Sequence, residues 1–375
     1  MRAHRGDVAF TVAVAALLVV GAGVMAIVLH AAGAPKAIAI GLVLAALPVG
    51  PLIAVYLWLD RYEPEPRSLL LLGLGWGAFV ATSAALFLQA FDAFAFGTSE
   101  ARQSVLVAPT TEEAAKGLFV VLLLVFRRAE LDGILDGIVY AGMVGIGFAF
   151  TENILYLSHA YIGTGAHAGS IEDAVGLFVV RGVLSPFAHP LFTAFVGVGA
   201  GIAVSSRSRI VQVVAPAGGY VLAVAAHASW NAGMLLDHGR GAVATYILLM
   251  VPAFVAIACL AIWARRREGV LLATSLTDCA RLGYLEPFEV PWLARIPGRR
   301  ACRAFAREHG GPVALDAMRG YQTAAVELGF LHHRHLRGTA PRNYARLGQE
   351  YVLRLAELRP QLVWPRNGRT VGIAG

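Results

Sequence analysis

Thr110-Thr111-Glu112-Glu113-Ala114-Ala115-Lys116-Gly117 heads an apolar run that continues to Phe126. Three ionisable side chains therefore stand where a bilayer is expected. A charge at the centre of a membrane helix costs about 2.5–3.5 kcal/mol or more and is usually turned toward a bundle interior or a wet cavity. On a helix, Lys116 lies four residues after Glu112 and three after Glu113, so it can pair with either. Of 31 basic residues only Lys36 and Lys116 are lysines, so a chain that otherwise uses arginine puts a lysine into its most charged apolar segment. The plain alternative is a Glu/Lys helix end at the membrane surface. The other polar positions weigh against it.

At 375 residues, 57% hydrophobic and 15% charged, the chain is too apolar for an ordinary soluble domain and reads as an all-α, polytopic membrane helix bundle. Eight stretches are long enough to span about 30 Å of hydrocarbon: residues 8–29, 37–59, 68–91, 105–126, 134–157, 186–205, 211–236 and 241–264. Arg2 and Arg5 before the first stretch resemble a signal peptide, but its apolar region exceeds the usual 7–15 residues, which predicts a retained anchor. Between Ile171 and Leu184 lies a shorter apolar piece that ends at Arg181-Gly182 and is followed by Ser185-Pro186. It reads as a re-entrant or interfacial helix, or as the start of one long kinked helix.

Charge divides the chain. From Arg265 onward there are 18 arginines against 9 acidic residues, so the predicted organisation is a transmembrane domain at 1–264, with its core at 105–236, and a basic, partly helical tail at 265–375. Attraction to anionic lipid explains that tail more simply than nucleic acid does, because the arginines follow a membrane segment directly. Within the membrane domain, Arg2 and Arg5, Arg61 and Arg67, Arg127 and Arg128, Arg207 and Arg209, and Arg265 to Arg267 fall on alternate ends of the spans. Only Lys36, Arg102 and Arg240 fall on the other side. The positive-inside rule then places both termini in the cytoplasm of a cell (inner) membrane protein and makes the connection 158–170 extracytoplasmic. The tail shows Pro and Gly breaks at Pro287, Pro291, Pro297-Gly298 and Gly310-Gly311-Pro312, with amphipathic helices expected near 314–336 and 342–358. His332, His333 and His335 read as a solvated run, since adjacent histidines cannot share one helix face. Cys259, Cys279 and Cys302 have no paired spacing, which excludes a disulfide framework and a thiolate metal site.

Further polar groups lie inside the predicted spans. Glu152, with Asn153 beside it, belongs to the segment that also carries the small-residue stripe Gly133, Gly137, Ala141, Gly145 and Ala149, so it faces protein. Two more small-residue faces each carry a histidine: His189, Thr193, Gly197 and Gly201, then Gly219, Ala223, His227 and Asn231. A lone histidine on such a face is more often a helix contact than a ligand. Two, together with three glutamates, point to a shared site, and His plus carboxylate is the set expected for Zn²⁺ when cysteine is absent. Asp132 and Asp136 sit where helix-start carboxylates are common.

Glu112-Glu113-x-x-Lys116, Phe148-x-x-x-Glu152-Asn153, His189 and His227-x-x-x-Asn231, in that order on successive membrane helices, resemble the PrsW family of intramembrane metalloproteases. More distantly they are similar to the CAAX-prenyl-protease and bacteriocin-processing superfamily, in which a histidine stands at the position of Glu152. The resemblance covers about 105–236 and leaves the tail out. It implies proteolysis of a membrane-anchored protein, in the family an anti-sigma factor. A divalent metal, in the first instance zinc, would be bound by His189 and His227 with Glu152 or Asn231 completing the set. Glu112 or Glu113 would be the base, Lys116 would hold the other carboxylate, and Asn231 could serve as an oxyanion donor. The competing reading is a proton- or ion-coupled transporter, because intramembrane Glu and His also build proton relays. Counted inward from the ends that the charge rule makes extracytoplasmic, Glu112, Glu152, His189 and His227 lie roughly 10, 8, 5 and 14 Å deep at about 1.5 Å per residue. All four are then expected in the outer half of the bilayer.

Overall fold

The computed structural model describes residues 5–128, 130–164, 167–236, 240–341, 343–366 and 369–371. Arg2 and the tip of the connection at 165–166 lie outside the described residues. Seven helices among those described are long and apolar enough to cross a membrane. They are α1 (Val8–Ala31), α2 (Pro35–Leu59), α3 (Arg67–Phe96), α5 (Ile134–Ile162), the stretch Ile171–Ser205, α8 (Arg209–Leu235) and α9 (Arg240–Arg281). Helix α4 (Ala108–Phe126), continued upstream to residue 100, is the eighth expected segment. Its apolar character is interrupted by Glu112, Glu113 and Lys116. The protein is thus an all-α, multi-pass membrane protein.

The stretch Ile171–Ser205 is two helical pieces. The first, α6 (Ile171–Phe178), opens under a Ser170 cap that accepts from Asp173 N and runs on through Val179–Leu184. Non-helical backbone at Ser185 then precedes α7 (Ala188–Ser205). Pro186 explains the break, since the residue before a proline is driven out of the helical region. The connection between α5 and α6 is shorter than the polar sequence suggests: α5 runs on to Ile162, and a two-residue ribbon, β1 (Gly163–Thr164) against β2 (His167–Ala168), closes it.

Two compact units divide the chain, residues 1–60 with 65–261 and residues 61–64 with 262–375. In the first, α5 is the hub. Its most apolar window is 89% buried, against 17% for α1, so α5 is surrounded by protein while α1 presents Val12, Val19 and Ile27 outward as a lipid-facing helix does. Small residues let α7 lie directly on α5. A Cβ at Gly137 would sit 2.0 Å from the Gly197 carbonyl oxygen, and one at Gly145 would sit 2.6 Å from the Pro190 backbone. The two stripes legible in the sequence therefore face each other. Gly137→Leu should prevent the pair from closing, because backbone cannot move aside as a side chain can; monodisperse protein in detergent should be lost on size exclusion, whereas Gly176→Leu, where a Cβ meets nothing within 4 Å, should leave it intact.

The second unit is a helical fold with its own core of Leu272, Leu276, Leu293, Met318, Tyr321 and Trp364. Three of the expected proline breaks are helix starts instead: proline sits in the first turn of Pro287–Glu289, α10 (Val290–Ala294) and α11 (Ile296–Arg337), where the missing N–H is not needed. Gly311, at φ 66°, kinks α11 beside Pro312, and α12 (Tyr344–Leu358) follows. A final ribbon pairs β3 (Trp364–Arg366) with β4 (Arg369–Val371). Buried Arg299 donates to the carbonyls of Leu293 (2.6 Å) and Tyr62 (2.9 Å), and burial lowers its pKa to about 10. Glu289 accepts from Tyr321 Oη at 2.6 Å and pairs with Arg359 at 3.2 Å. Burial pushes the Cys302 thiol up to about 12, which disfavours its thiolate form. His332 lies 3.9 Å from Asp278 while His335 stacks on Tyr344; the histidine run does not converge on a common point.

Candidate functional site

Helix α4 begins its charged turn after Pro109. The hydroxyls of Thr110 and Thr111 return hydrogen bonds to carbonyls of Leu106, Val107 and Ala108 rather than reaching outward. Glu112, Glu113 and Lys116 thus lie on the interior face, all buried. Lys116 chooses between the two carboxylates: its Nζ is 2.5 Å from Glu113 and 3.7 Å from Glu112. The ammonium also lies 4.2 Å from the Phe148 ring centroid. An aromatic face thereby supplies part of the solvation that the membrane withholds.

Each histidine is held against a different carboxylate. His227, on α8, stacks on Phe192 with ring centroids 4.7 Å apart, and its Nδ1 lies 2.9 Å from Glu113 Oε1. That carboxylate also accepts from the Thr193 hydroxyl at 3.3 Å. With Nδ1–H donating to Glu113, the His227 Nε2 lone pair is left open, 3.8 Å from Glu112 Oε2. His189 is placed by the close approach of α7 to Gly145. Its Nδ1 is 3.2 Å from Lys116 Nζ and its Nε2 is 2.7 Å from Glu152 Oε2. An ammonium only donates, so Nδ1 is the acceptor and Nε2 carries the proton given to Glu152.

Glu112 is different from the other two. Gln89 Nε2 donates to its Oε1 at 3.2 Å, but Oε2 is buried without a hydrogen-bond partner. Buried polar atoms are nearly always satisfied, so an orphaned carboxylate oxygen in a cavity wall calls for a ligand. Donor atoms of Glu112, His189 and His227 lie within 4.8 Å of one another. Two imidazoles and a carboxylate are a donor set that fits a divalent ion. The sequence offers Glu152 or Asn231 to complete that set; Glu152 is engaged by His189 and by Arg181, and Glu112 is the carboxylate whose oxygen stands beside the histidines, within reach of an ion or of water bound to one.

These groups line a cavity of about 590 Å³. Its wall includes Leu29, Ile38, Glu100, Ile162 and Asn231, which all belong to the ends of helices opposite the arginine-bearing loops. Asn231 donates through Nδ2 to the Ser104 carbonyl at 2.8 Å. All seven residues singled out from the sequence, Glu112, Glu113, Lys116, Glu152, His189, His227 and Asn231, are therefore found around one cavity or directly behind its wall. Asp132 and Asp136 are elsewhere: Asp136 Oδ2 accepts from the backbone N–H groups of Asp132 (2.9 Å) and Gly133 (2.8 Å), capping α5. Sequence reasoning missed Gln89, Arg181, Phe192 and Thr193. Gln89 and Arg181 had a signal, each a polar residue inside an apolar segment.

Comparison with known proteins agrees with this geometry. The profile described as "PrsW family intramembrane metalloprotease" matches residues 65–257, about half the chain. Similar proteins include Protease PrsW of Geobacillus kaustophilus (strain HTA426), 32% identical over 157 residues, which is 42% of this chain and 64% of that protein. Protease PrsW of Bacillus subtilis (strain 168) is 29% identical over 116 residues, 30% of this chain and 53% of that one. Protease PrsW of Clostridioides difficile (strain 630) is 28% identical over 157 residues, 40% and 62% of the two chains. The chain spans less than two thirds of the length of these relatives, and no solved structure matches it. A profile that covers half the chain, and covers the helices that carry Glu112, Glu152, His189 and His227, places this protein in the PrsW family of intramembrane metalloproteases.

Proposed function

We propose that the protein is a metal-dependent endopeptidase that hydrolyses a peptide bond of a membrane-anchored protein, an anti-sigma factor being the substrate type implied by the family, and that Glu112 is its general base. The observation that carries this reading is the buried, unpartnered Glu112 Oε2 beside His189 and His227. His227 through its open Nε2, and His189 through Nδ1 once Lys116 gives up its hydrogen bond there, would hold the ion, taken as zinc. When bound, it supplies Lewis-acid polarisation and lowers the pKa of water from 15.7 toward about 7.

The residues of the chain do the rest. Glu113 is occupied by Lys116, His227 and Thr193, so it fixes the His227 ring with Nε2 directed away from it and is unsuited to accept a further proton. Glu112 has the open oxygen; it takes the proton from the attacking water and returns it to the leaving amine. One N–H of Asn231 goes to Ser104, and its second faces the substrate carbonyl as oxyanion forms. Formal charges are compatible with a cation there: Glu112, Glu113 and Glu152 against Lys116 and Arg181 leave one negative charge. The transporter reading has no comparable support, since every similar protein named above is a protease.

Metal analysis of the purified full chain tests the proposal. About one equivalent of zinc is expected in the wild type and none in the His189→Ala/His227→Ala variant. A variant that keeps the metal, or a metal-free wild type that cleaves at full rate, overturns it. Access to the cavity is expected from the extracytoplasmic side: a cysteine at Ser104 should react with an impermeant thiol reagent outside spheroplasts, against the wild-type chain as background. Labelling only from the cytoplasmic face contradicts the predicted orientation of both termini.

A further inference from the structure

Glu152 does not hold its place unaided. The Arg181 guanidinium pairs with Glu152 Oε2 through Nη2, donates through Nε to Asn153 Oδ1 at 2.6 Å, and lies 4.3 Å from the Tyr156 ring centroid. One arginine thus grips three residues on a single face of α5. It comes from the last turn before the break at Ser185, on the short helical piece that follows α6, and it lines the cavity. An arginine at membrane depth is costly and needs partners. None of the proteolytic roles assigned above uses it.

The forked geometry matters. A guanidinium presents donors in a fixed plane, so two bonds to neighbouring side chains fix the direction of each, which a lysine ammonium cannot do. Glu152, pinned in this way, presents an oxygen 2.7 Å from His189 Nε2. We propose that Arg181 is a positioning residue: it clamps Glu152 as the acceptor for His189 Nε2–H and, with Lys116 donating to Nδ1 on the other side of the ring, thereby fixes the ring direction of that histidine and the strength of its bond to Glu152. The site then contains two carboxylate–histidine couples, Glu113–His227 beside Lys116, which also donates to His189 Nδ1, and Glu152–His189 beside Arg181. The carboxylate partner of a ligating histidine governs its affinity for an ion. The inference rests on the proposed function only for that last consequence, since the Glu152–His189 hydrogen bond is present without a metal.

The test is imidazole nitrogen NMR on the metal-free full chain in detergent, with ¹⁵N-histidine and the His189 ring assigned by comparison with His189→Ala. The wild type should show His189 as a single Nε2–H tautomer and His227 as Nδ1–H. Arg181→Gln should shift the His189 Nε2–H resonances, as the bond to an unclamped Glu152 loosens while Lys116 keeps the tautomer, and leave those of His227, held by Glu113 on its other side, unchanged as the internal folding control. Arg181→Met, which keeps an apolar stem against Tyr156, replaces it if His227 reports unfolding. Adding Arg181→Gln to Glu152→Gln should change nothing further, as it must if Arg181 acts through Glu152. A wild-type His189 signal in both arginine variants, or a further shift in the double variant, overturns the clamp. Zinc titration of the same proteins should show about 10–100-fold weaker binding in Arg181→Gln. A wild type that binds no zinc would defeat the metal reading while the NMR result still decides the clamp.

Discussion

Glu112→Gln should slow peptide cleavage by about 10²–10⁴-fold, the range for loss of a general base, while bound metal and the folded bundle remain. Glutamine keeps the size of the side chain and can still accept from Gln89, but its amide cannot take a proton from water. Glu113→Gln makes the contrast. That carboxylate accepts from His227 and Thr193 and is paired with Lys116, so its loss should weaken metal retention and stability along with cleavage. Rates on a single-pass substrate in detergent, with metal content measured on the same samples, separate the two. If Glu112→Gln loses its metal and Glu113→Gln keeps it, the roles are exchanged.

Lys116→Met should destabilise the bundle by about 3–5 kcal/mol, the cost of breaking a buried ion pair by removing one partner. Lys116 and Glu113 are both fully buried and 2.5 Å apart, so methionine leaves Glu113 charged among apolar helices with only His227 and Thr193 for company. Methionine fills nearly the same volume and still packs on Phe148, which confines the loss to charge. Lys116→Met/Glu113→Gln should recover most of the stability, because no uncompensated charge remains. Thermal unfolding in one detergent across the four proteins measures this. Equal destabilisation of the single and double variants would show that packing, not charge, is what Lys116 provides.

The helical membrane bundle and the cluster of polar groups were legible because both are written in local pattern. Apolar length marks the spans, and four-residue steps bring His189, Thr193, Gly197 and Gly201 to one face and Gly137 and Gly145 to another. Which face meets which is a property of the assembled bundle, and Gly137 against Gly197 could be seen only there. The same limit applies to the partners of each charge. Spacing allowed Lys116 to reach Glu112 or Glu113 equally, and only the position of His227 across the bundle shows Glu113 to be the occupied one and Glu112 the open one. Arg181 went unread for this reason too, since its partners Glu152 and Asn153 are 28 or 29 residues away in sequence. Hydropathy also ended the last span at Ala264, where the arginines begin. Helix α9 nevertheless continues to Arg281, because Arg, Leu, Ala and Glu are good helix formers whether or not lipid surrounds them.

If the protein hydrolyses a membrane-anchored protein with water at a metal site near one face of the bilayer, the products must show it. The measurement is a reconstitution: the purified full chain in proteoliposomes with a single-pass substrate, in water enriched in ¹⁸O, with products identified by mass spectrometry. Two complementary fragments are expected, with one ¹⁸O in the new carboxyl terminus, a cut in the outer half of the substrate's span, and loss of both fragments on chelation with recovery on adding zinc. An intact substrate accompanied by Glu112-dependent proton uptake into the vesicles, or fragments that form undiminished under chelation, would contradict metal-dependent hydrolysis.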